Sequence, residues 1–264
     1  LYFSFQEIIE GYRFDAVAGA LQEYTEYLLI SWIKNIIKKS NVHDITFAGG
    51  VAMNVKANQL IAKLQEVRSL HVPVTPDDSS QCIGACLAYY HENKPEQLDS
   101  TLEDNTAYLG PNAGEKKEED ELISYLKSKN YTVIVDDLDK NAAECMSNGK
   151  ILARIVNRQE FGARALGNRS LLCDPSSIKA KEKLNMRIKS RDFWMPFACS
   201  VQSDFCTEYI KIDQETEYYR YMTICAEATE KGKTSLIAGI HQADSTCRPQ
   251  IVHQRDNPSY YSLI

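Results

Sequence analysis

The segment RQEFGARALGNRS, residues 158–170, places three arginines and two glycines in thirteen consecutive positions, directly after the apolar run Lys150–Val156. The run predicts a buried β-strand, and the glycines permit turns that other residues resist. Arginine carries a permanent charge on a planar fork that suits phosphate, and we expect Glu160 and Asp174 to orient some of the forks. This segment, which we call the arginine loop, predicts an anion site; a solvated face or surface ion-pair network is the commoner use of clustered arginines.

Length and charge limit the class of protein. The 264 residues, 44% of them hydrophobic, suit one large domain or two small ones. The net charge is −6, and residues 1–112 account for all of it, with 8 Lys and Arg against 14 Asp and Glu; the rest of the chain has equal numbers of basic and acidic residues. An acidic chain argues against nonspecific nucleic-acid binding, which needs a basic face. The basic residues are concentrated in the part that holds the arginine loop.

The eight cysteines form neither a disulfide framework nor a zinc motif. Cys82 and Cys86 are four positions apart with no second pair to complete a metal site, and most of the others lie in apolar runs, where cysteine behaves as a small buried hydrophobe. Reduced thiols in a cytoplasmic protein are therefore expected. No apolar run approaches the roughly 20 residues of a membrane span, so we expect no membrane location.

Apolar periodicity and turn signals predict alternating helices and strands. We expect helices over residues 5–39, 54–67, 81–90, 116–128 and 137–148, and strands over 44–50, 69–74, 131–135, 150–156, 197–202, 221–228 and 236–241. In Leu184–Arg191, the residues Arg187, Lys189 and Arg191 alternate, so an extended backbone would point them to one face. A basic strand edge that prevents aggregation is the alternative use of that pattern.

Two turns after the first strands are further candidates. Gly49 and Gly50 precede a helix, where backbone N–H groups can meet a ligand, although a tight structural turn explains a glycine pair equally. Asp78 precedes the next helix. Capping of that helix by Asp78 or Ser79 is the commonest use of such residues, while a carboxylate is also a hard oxygen ligand for a divalent ion.

The string EFGARALGNRSLLCDP, followed by LNMRIKSRDFWMPFACSV, resembles the signature of the O-carbamoyltransferases of nodulation-factor and antibiotic biosynthesis. FAGGVAMNVKAN is similar to a nucleotide motif of the actin-like ATPase superfamily, and the similarity runs from about Asp15 to Ile264. It implies an α/β chain with the C-terminal lobe of an actin-like domain at 1–95, a linker at 96–112 and a YrdC-like domain with a mixed sheet at 113–264. The family's N-terminal lobe and last C-terminal segment are expected to be missing.

The resemblance also implies an activity. In the family, the YrdC-like domain joins carbamoyl phosphate to ATP and gives carbamoyl-adenylate and pyrophosphate. The actin-like domain then transfers the carbamoyl group to a hydroxyl of a sugar or natural product. ATP with Mg²⁺, a divalent metal such as Fe²⁺ in the actin-like part, carbamoyl phosphate and a small hydroxylated acceptor are therefore expected, and no nucleic-acid or membrane partner is.

Site residues carry over onto the matching positions. The resemblance implies that the catalytic residues, which neutralise two anionic reactants, are Arg164, Arg169, Lys189 and Arg248. It implies that the nucleotide is bound by Gly49, Gly50, Asn54, Arg158, Arg191 and His241. It implies Asp78 as a metal ligand.

The chain departs from the family pattern at several positions. Met195 stands where the family has an arginine, Ala163 replaces a proline, and none of the five histidines forms the family's His-x-x-x-His metal segment. A noncatalytic nucleotide-binding module is therefore an alternative. A hydrogenase-maturation carbamoyltransferase should carry paired-cysteine fingers, which are not visible, and an actin-like sugar kinase does not explain the signature in residues 158–201.

Overall fold

The computed structural model describes residues 2–97, 107–114, 116–192 and 195–264. Its helices are α1 (Tyr2–Ile9), α2 (Phe14–Ser40), α3 (Val55–Ala62), α4 (Gln81–Asn93), α5 (Lys116–Ser128), α6 (Leu138–Ser147), α7 (Ile178–Lys183), α8 (Cys206–Tyr209), α9 (Glu230–Ser235) and α10 (Pro258–Leu263). Its strands are β1 (Asp44–Thr46), β2 (Ser69–His71), β3 (Leu152–Ile155), β4 (Arg169–Leu172), β5 (Cys199–Gln202), β6 (Ala226–Glu227), β7 (Thr246–Cys247) and β8 (Pro249–Val252).

The strands form small pairs. Within the described residues β1 pairs with β2 and β5 with β8 in parallel, whereas β3–β4 and β6–β7 are antiparallel. The predicted α/β class is confirmed, although both strand orientations occur in separate two-stranded ladders. The actin-like and YrdC-like assignments stay predictions.

One hydrophobic core draws on both halves of the chain. Burial of each large apolar side chain contributes about 1.5–3 kcal/mol, so this shared core holds the halves together. Its largest members include Ile33, Phe47, Ile61 and Leu70 from the first half and Val201, Ile210, Tyr219, Ile224 and Ile251 from the second.

The predicted linker is only partly described. Residues 98–106 lie outside the described residues, and Ala107 packs with Val74, Leu166 and Met222 in a second cluster. Residue 107 therefore belongs to the packed structure, and it lies beside the centre of the arginine loop. The predicted division into domains stays a prediction.

Most of the predicted helices are present, with one break. Gly11 adopts φ 84°, in the region that favours glycine, and separates α1 from α2. Helix α2 ends at Asn41, whose left-handed conformation lets its N–H bond to the Ile37 carbonyl. Helix α6 ends at Ser147, one residue before the predicted end, and Gly149 with φ 75° follows it.

Several predictions of secondary structure and burial were wrong. Residues 131–135 form no strand, because no segment within the described ranges pairs with them and the side chains of Tyr131, Ile134 and Val135 are exposed. Residues 184–191 are not extended: Leu184–Lys189 is a π-helix that continues α7. Residues 236–241 contain a 3-10 turn instead of a strand, since a short apolar run fits either state. Strand β3 is half-buried, not buried, and Ile155 is exposed.

All eight cysteines are free thiols. Burial of cysteines in apolar runs is confirmed for Cys199 and Cys225, whereas Cys173 is only half-buried. Cys206 and Cys247 are buried as well. None of the helices in the described ranges has both the length and the apolar character that crossing a membrane requires.

Candidate functional site

A cavity of about 620 Å³ lies between the arginine loop, the π-helix and β5. Four of the predicted cationic residues line it together, and we call it the arginine cavity. Side chains from α6, β4 and the end of α10 form an apolar part of its wall. The predicted cationic residues are Arg164, Lys189, Arg191 and Arg248, and Lys181 of α7 lines the cavity as well; the apolar residues include Ala143, Met146, Leu172 and Leu263.

Arg164 reaches the cavity from the middle of the arginine loop. Burial lowers the pKa of its guanidinium, and the carboxylate of Asp77 partly opposes this effect. Gly162, two residues earlier, has φ 103°, and a Cβ there would lie 1.9 Å from Thr75 Cγ2. Only glycine lets the loop approach the segment around Thr75 so closely. The loop that carries Arg164 is therefore packed against the first half of the chain.

Arg191 is held from two sides. Its Nε donates a 2.6 Å hydrogen bond to Asn185 Oδ1, and its guanidinium carbon lies 4.2 Å from the centre of the Phe197 ring. A stacked guanidinium with one nitrogen anchored keeps its remaining N–H groups in a fixed direction. Burial lowers the pKa of Arg191 as well.

Arg248 follows β7 and faces Arg164 and Arg191. Burial first, and then the charges of those two arginines, lower the pKa of its guanidinium to about 10. Its Nε is buried and has no hydrogen-bond acceptor within the described part of the chain. A buried donor without an acceptor is destabilising, and an anion in the cavity is the natural acceptor for it.

Lys189 comes from the π-helix. This wider helix follows α7 directly and ends at Ser190, which has φ 46°. Single π-turns are frequent at functional sites because they redirect side chains within a helix. The alternating cations were expected to lie on one face of an extended segment. In the structure, Lys189 and Arg191 line the cavity, whereas Arg187 is exposed and does not line it.

Two predicted arginines have other contacts. Arg158 donates to the carbonyls of Leu109 at 2.7 Å and Gly110 at 3.0 Å. Arg169 donates to the carbonyls of Val156 at 2.6 Å and Asn157 at 3.1 Å. Neither lines the arginine cavity. The structure therefore places both where they fix backbone, and a ligand role for them stays a prediction.

The expectation that acidic residues orient the arginine forks was wrong. The Glu160 carboxylate accepts hydrogen bonds from backbone N–H groups of its own loop. Asp174 accepts from the N–H and hydroxyl of Ser176 at 2.8 and 2.7 Å. Within the described residues neither carboxylate forms an ion pair with an arginine of the loop.

The predicted glycine turn is present but lies elsewhere. Gly49 has φ 109° and precedes the 3-10 turn Gly50–Met53, and both glycines have open space beside their Cα atoms. Asn54 caps α3 by accepting from the Ala57 N–H at 3.1 Å, and its amide also pairs with that of Gln22. None of these three predicted residues lines the arginine cavity.

His241 lines a second cavity of about 340 Å³, which shares Arg248, Phe197 and Gly239 with the arginine cavity. Its Nδ1 lies 3.4 Å from Asp244 Oδ1, and Asp244 Oδ2 lies 2.5 Å from Lys56 Nζ. Arg248 thus contributes to both cavities, whereas His241 contributes to the second alone.

Two family profiles match the chain. The profile described as Carbamoyltransferase N-terminus matches residues 4–87, and the one described as Carbamoyltransferase C-terminus matches residues 143–264. The chain belongs to the carbamoyltransferase family. The C-terminal match includes every residue of the cationic wall of the arginine cavity.

Relatives of this carbamoyltransferase chain agree with the assignment. It is 28% identical to nodulation protein NolO of Bradyrhizobium diazoefficiens over 94% of the chain and 45% of that protein. It is 24% identical to the 3'-hydroxymethylcephem-O-carbamoyltransferase of Amycolatopsis lactamdurans over 82% of the chain and 38% of that protein. An uncharacterized Methanocaldococcus jannaschii protein is 32% identical over 92% of the chain and 45% of its own length. The chain spans less than half the length of these relatives.

The metal that the family resemblance implies does not fit the residues around Asp78. Asp78 begins the 3-10 turn Asp78–Ser80, and its Oδ1 accepts a hydrogen bond from Gln81 Nε2 at 3.2 Å. The cap of that turn is Asp77, not Asp78 or Ser79: it accepts from the Ser79 N–H at 3.1 Å. In the described ranges no group of three or more His, Cys, Asp or Glu side chains could hold a metal ion.

Sequence reasoning missed several residues that build the carbamoyltransferase cavity. Asn185 is fully buried and orients Arg191, and Phe197 provides the stacking surface. Asn185 lies in the LN pair of the matched signature, so a polar residue at a buried helical position was the available signal. Met195 replaces the family arginine but does not line the arginine cavity.

Proposed function

We propose that this chain carries the carbamoyl-activating half of an ATP-dependent O-carbamoyltransferase, and that the arginine cavity is its site. The observation that carries the proposal is the convergence of three guanidinium groups and two ammonium groups, those of Lys181 and Lys189, on one cavity, with the Arg248 Nε buried and lacking an acceptor within the described residues. A ligand with several negative charges would balance the charge of these cations, and both ATP and carbamoyl phosphate carry several negative charges.

Electrostatics supports an anionic ligand. Lowered pKa values at Arg164, Arg191 and Arg248 mean that the charged forms of these groups are disfavoured in the ligand-free protein. Arg248 remains protonated at neutral pH, because its pKa of about 10 is well above 7. Binding of phosphate oxygens would supply counter-charge and hydrogen-bond acceptors together, so binding relieves an unfavourable arrangement.

The proposed reaction has two parts. Water cleaves the P–O bond of carbamoyl phosphate and releases phosphate and carbamate. A carbamate oxygen then attacks the α-phosphorus of ATP, the bond to the β-phosphate breaks, and pyrophosphate leaves with carbamoyl-adenylate as the other product. Positioning and charge neutralisation are the main demands of such a step, and no covalent enzyme intermediate is required.

The residues divide this work by location. Arg164 and Arg248 would bind the oxygens of the α-phosphate of ATP, where negative charge develops during the attack by carbamate. Lys189 and Arg191 would hold the leaving pyrophosphate, with Arg191 kept in place by Asn185. The apolar wall gives the adenine base a surface free of competing charge. Mg²⁺ would be carried by the ATP phosphates.

Transfer of the carbamoyl group to a hydroxylated acceptor is proposed for the full-length protein. One relative is named a 3'-hydroxymethylcephem-O-carbamoyltransferase, which agrees with a small-molecule hydroxyl as acceptor.

The proposal is tested by measuring pyrophosphate release from ATP by the full-length protein, with and without carbamoyl phosphate. We expect release only with carbamoyl phosphate, and loss of at least about 100-fold in Arg164→Ala and Arg248→Ala. Arg187→Ala is the matched control, because Arg187 lies on the same π-helix as Lys189 but outside the cavity; its rate should equal that of the wild type.

The same experiment separates the alternative function. A protein that binds ATP but releases no pyrophosphate when carbamoyl phosphate is added would be a noncatalytic nucleotide-binding module. Release that is independent of carbamoyl phosphate would indicate an ATP hydrolase and would also contradict the proposal.

A further inference from the structure

Glu160 is a buried carboxylate at the start of the arginine loop that forms no ion pair within the described residues. Its Oε1 accepts hydrogen bonds from the backbone N–H groups of Leu166 at 2.7 Å and Asn168 at 2.8 Å. The N–H of Arg169 lies 3.2 Å from Oε1 and 3.1 Å from Oε2. Because burying a charge without partners is strongly unfavourable, these N–H groups are what permits the carboxylate there. Glu160 folds the loop back onto its own first residues.

The segment bound by Glu160 is also held from its other side. The Leu166 carbonyl accepts from the Tyr108 hydroxyl at 3.0 Å and from Gln250 Nε2 at 2.9 Å. The Leu166 side chain is buried as well. Both backbone groups of Leu166 are thus fixed, and Arg164 lies two residues before this fixed point.

We infer that Glu160 is a positioning residue for the anion site. By gathering the N–H groups of residues 166–169, it sets the direction in which the Arg164 side chain enters the arginine cavity. Glu160 does not line the cavity itself, so it acts through the loop and not on the ligand. The inference rests on the proposed function in one respect, that the ligand of the cavity is a polyphosphate.

The test is a double-mutant cycle in the full-length protein. Dissociation constants for inorganic pyrophosphate and for ATP are measured calorimetrically for the wild type, Glu160→Gln, Arg164→Ala and the double variant. Glutamine has nearly the same shape and keeps one acceptor oxygen, but it carries no negative charge, and its NH₂ group would face the Arg169 N–H, which lies 3.1 Å from Glu160 Oε2. We expect Glu160→Gln to weaken binding roughly tenfold in the wild type and less than about twofold in Arg164→Ala.

Two further variants test whether the loss of a negative charge alone explains weaker binding in Glu160→Gln. Glu217→Gln is the matched control: Glu217 pairs with Arg255 at 2.5 Å outside the cavity, so its loss should leave both dissociation constants unchanged. Asp174→Asn removes a negative charge that does line the cavity, and it should tighten anion binding. Opposite signs for Glu160 and Asp174 would exclude a simple charge effect.

Each outcome decides between the claims. Additive effects in the cycle, or an unchanged dissociation constant in a less stable Glu160→Gln, would overturn the inference and leave the proposed function intact. Coupled effects without carbamoyl phosphate-dependent pyrophosphate release would retain the inference and overturn the proposed function. A wild type that binds neither ligand would overturn both. If Glu160→Gln does not fold, Glu160→Asp, which keeps the acceptors on a shorter side chain, completes the same cycle.

Discussion

The Arg248 guanidinium occupies a place that disfavours its own charge. Burial and the neighbouring Arg164 and Arg191 lower its pKa from an ordinary value above 12 to about 10. Since one pKa unit corresponds to about 1.4 kcal/mol, the charged side chain destabilises the ligand-free fold by at most roughly 3 kcal/mol. The folded-state pKa is below the unfolded-state value, so this penalty is fully present below pH 10 and disappears as the pH rises from there to above 12.

We therefore expect Arg248→Met, which keeps the volume and removes the charge, to raise the free energy of unfolding of the ligand-free protein by about 1–3 kcal/mol at neutral pH. Pyrophosphate at 100 times its dissociation constant should stabilise the wild type by about 2.7 kcal/mol and the variant by nearly nothing. Chemical denaturation with and without pyrophosphate measures both, with Arg187→Met as the control. A variant that is less stable than the wild type without ligand, or that pyrophosphate stabilises equally, would refute the reasoning.

Three other perturbations have defined outcomes. Gly162→Ala should lower the free energy of unfolding, measured in urea, by about 1–3 kcal/mol, because φ is positive at this position and the added Cβ would meet Thr75. Adding Thr75→Ser, which removes the methyl group in the way, should restore part of the loss. No loss in Gly162→Ala would mean that the loop moves freely. Burial raises the pKa of Asp244, but hydrogen bonds from Lys56 and Thr246 outweigh this and lower it to about 2. The Asp244 carboxylate therefore contributes about 1 kcal/mol to the free energy of unfolding, a value reduced for its partial exposure, and this contribution is present above pH 4 and lost towards pH 2. Asp244→Asn should flatten that part of the curve of stability against pH. An unchanged curve would contradict this. Asp78→Asn should leave pyrophosphate release by the full-length protein unchanged, because Asp78 does not line the arginine cavity; loss of release would place Asp78 in the nucleotide site.

The sequence predicted the cationic residues of the cavity better than the way they are held. Arg164, Lys189, Arg191 and Arg248 carry a pattern that can be matched directly, and the structure brings them together. Alternation in residues 184–191 suggested an extended backbone, yet the segment is a π-helix. Charge spacing alone does not distinguish these backbones, since both can direct two of the three cations to one cavity.

The contacts that support the cavity could not be read from the sequence, because they are long-range. Glu160 was expected beside an arginine fork, but the fold brings backbone N–H groups to it first. Arg158 and Arg169 look like their neighbour Arg164, and only the position of the carbonyls of residues 109–111 and 156–157 separates them from it. Local patterns identify charge, whereas the acceptor of each charge depends on segments far away in the sequence.

The most direct test of the central claim is the exchange of labelled pyrophosphate into ATP by the full-length protein. If carbamoyl-adenylate forms reversibly in the arginine cavity, label should enter ATP only when carbamoyl phosphate is present, and Arg248→Ala should abolish the exchange. Exchange without carbamoyl phosphate, or no exchange by a protein that binds ATP, would contradict the assignment of this cavity to carbamoyl activation.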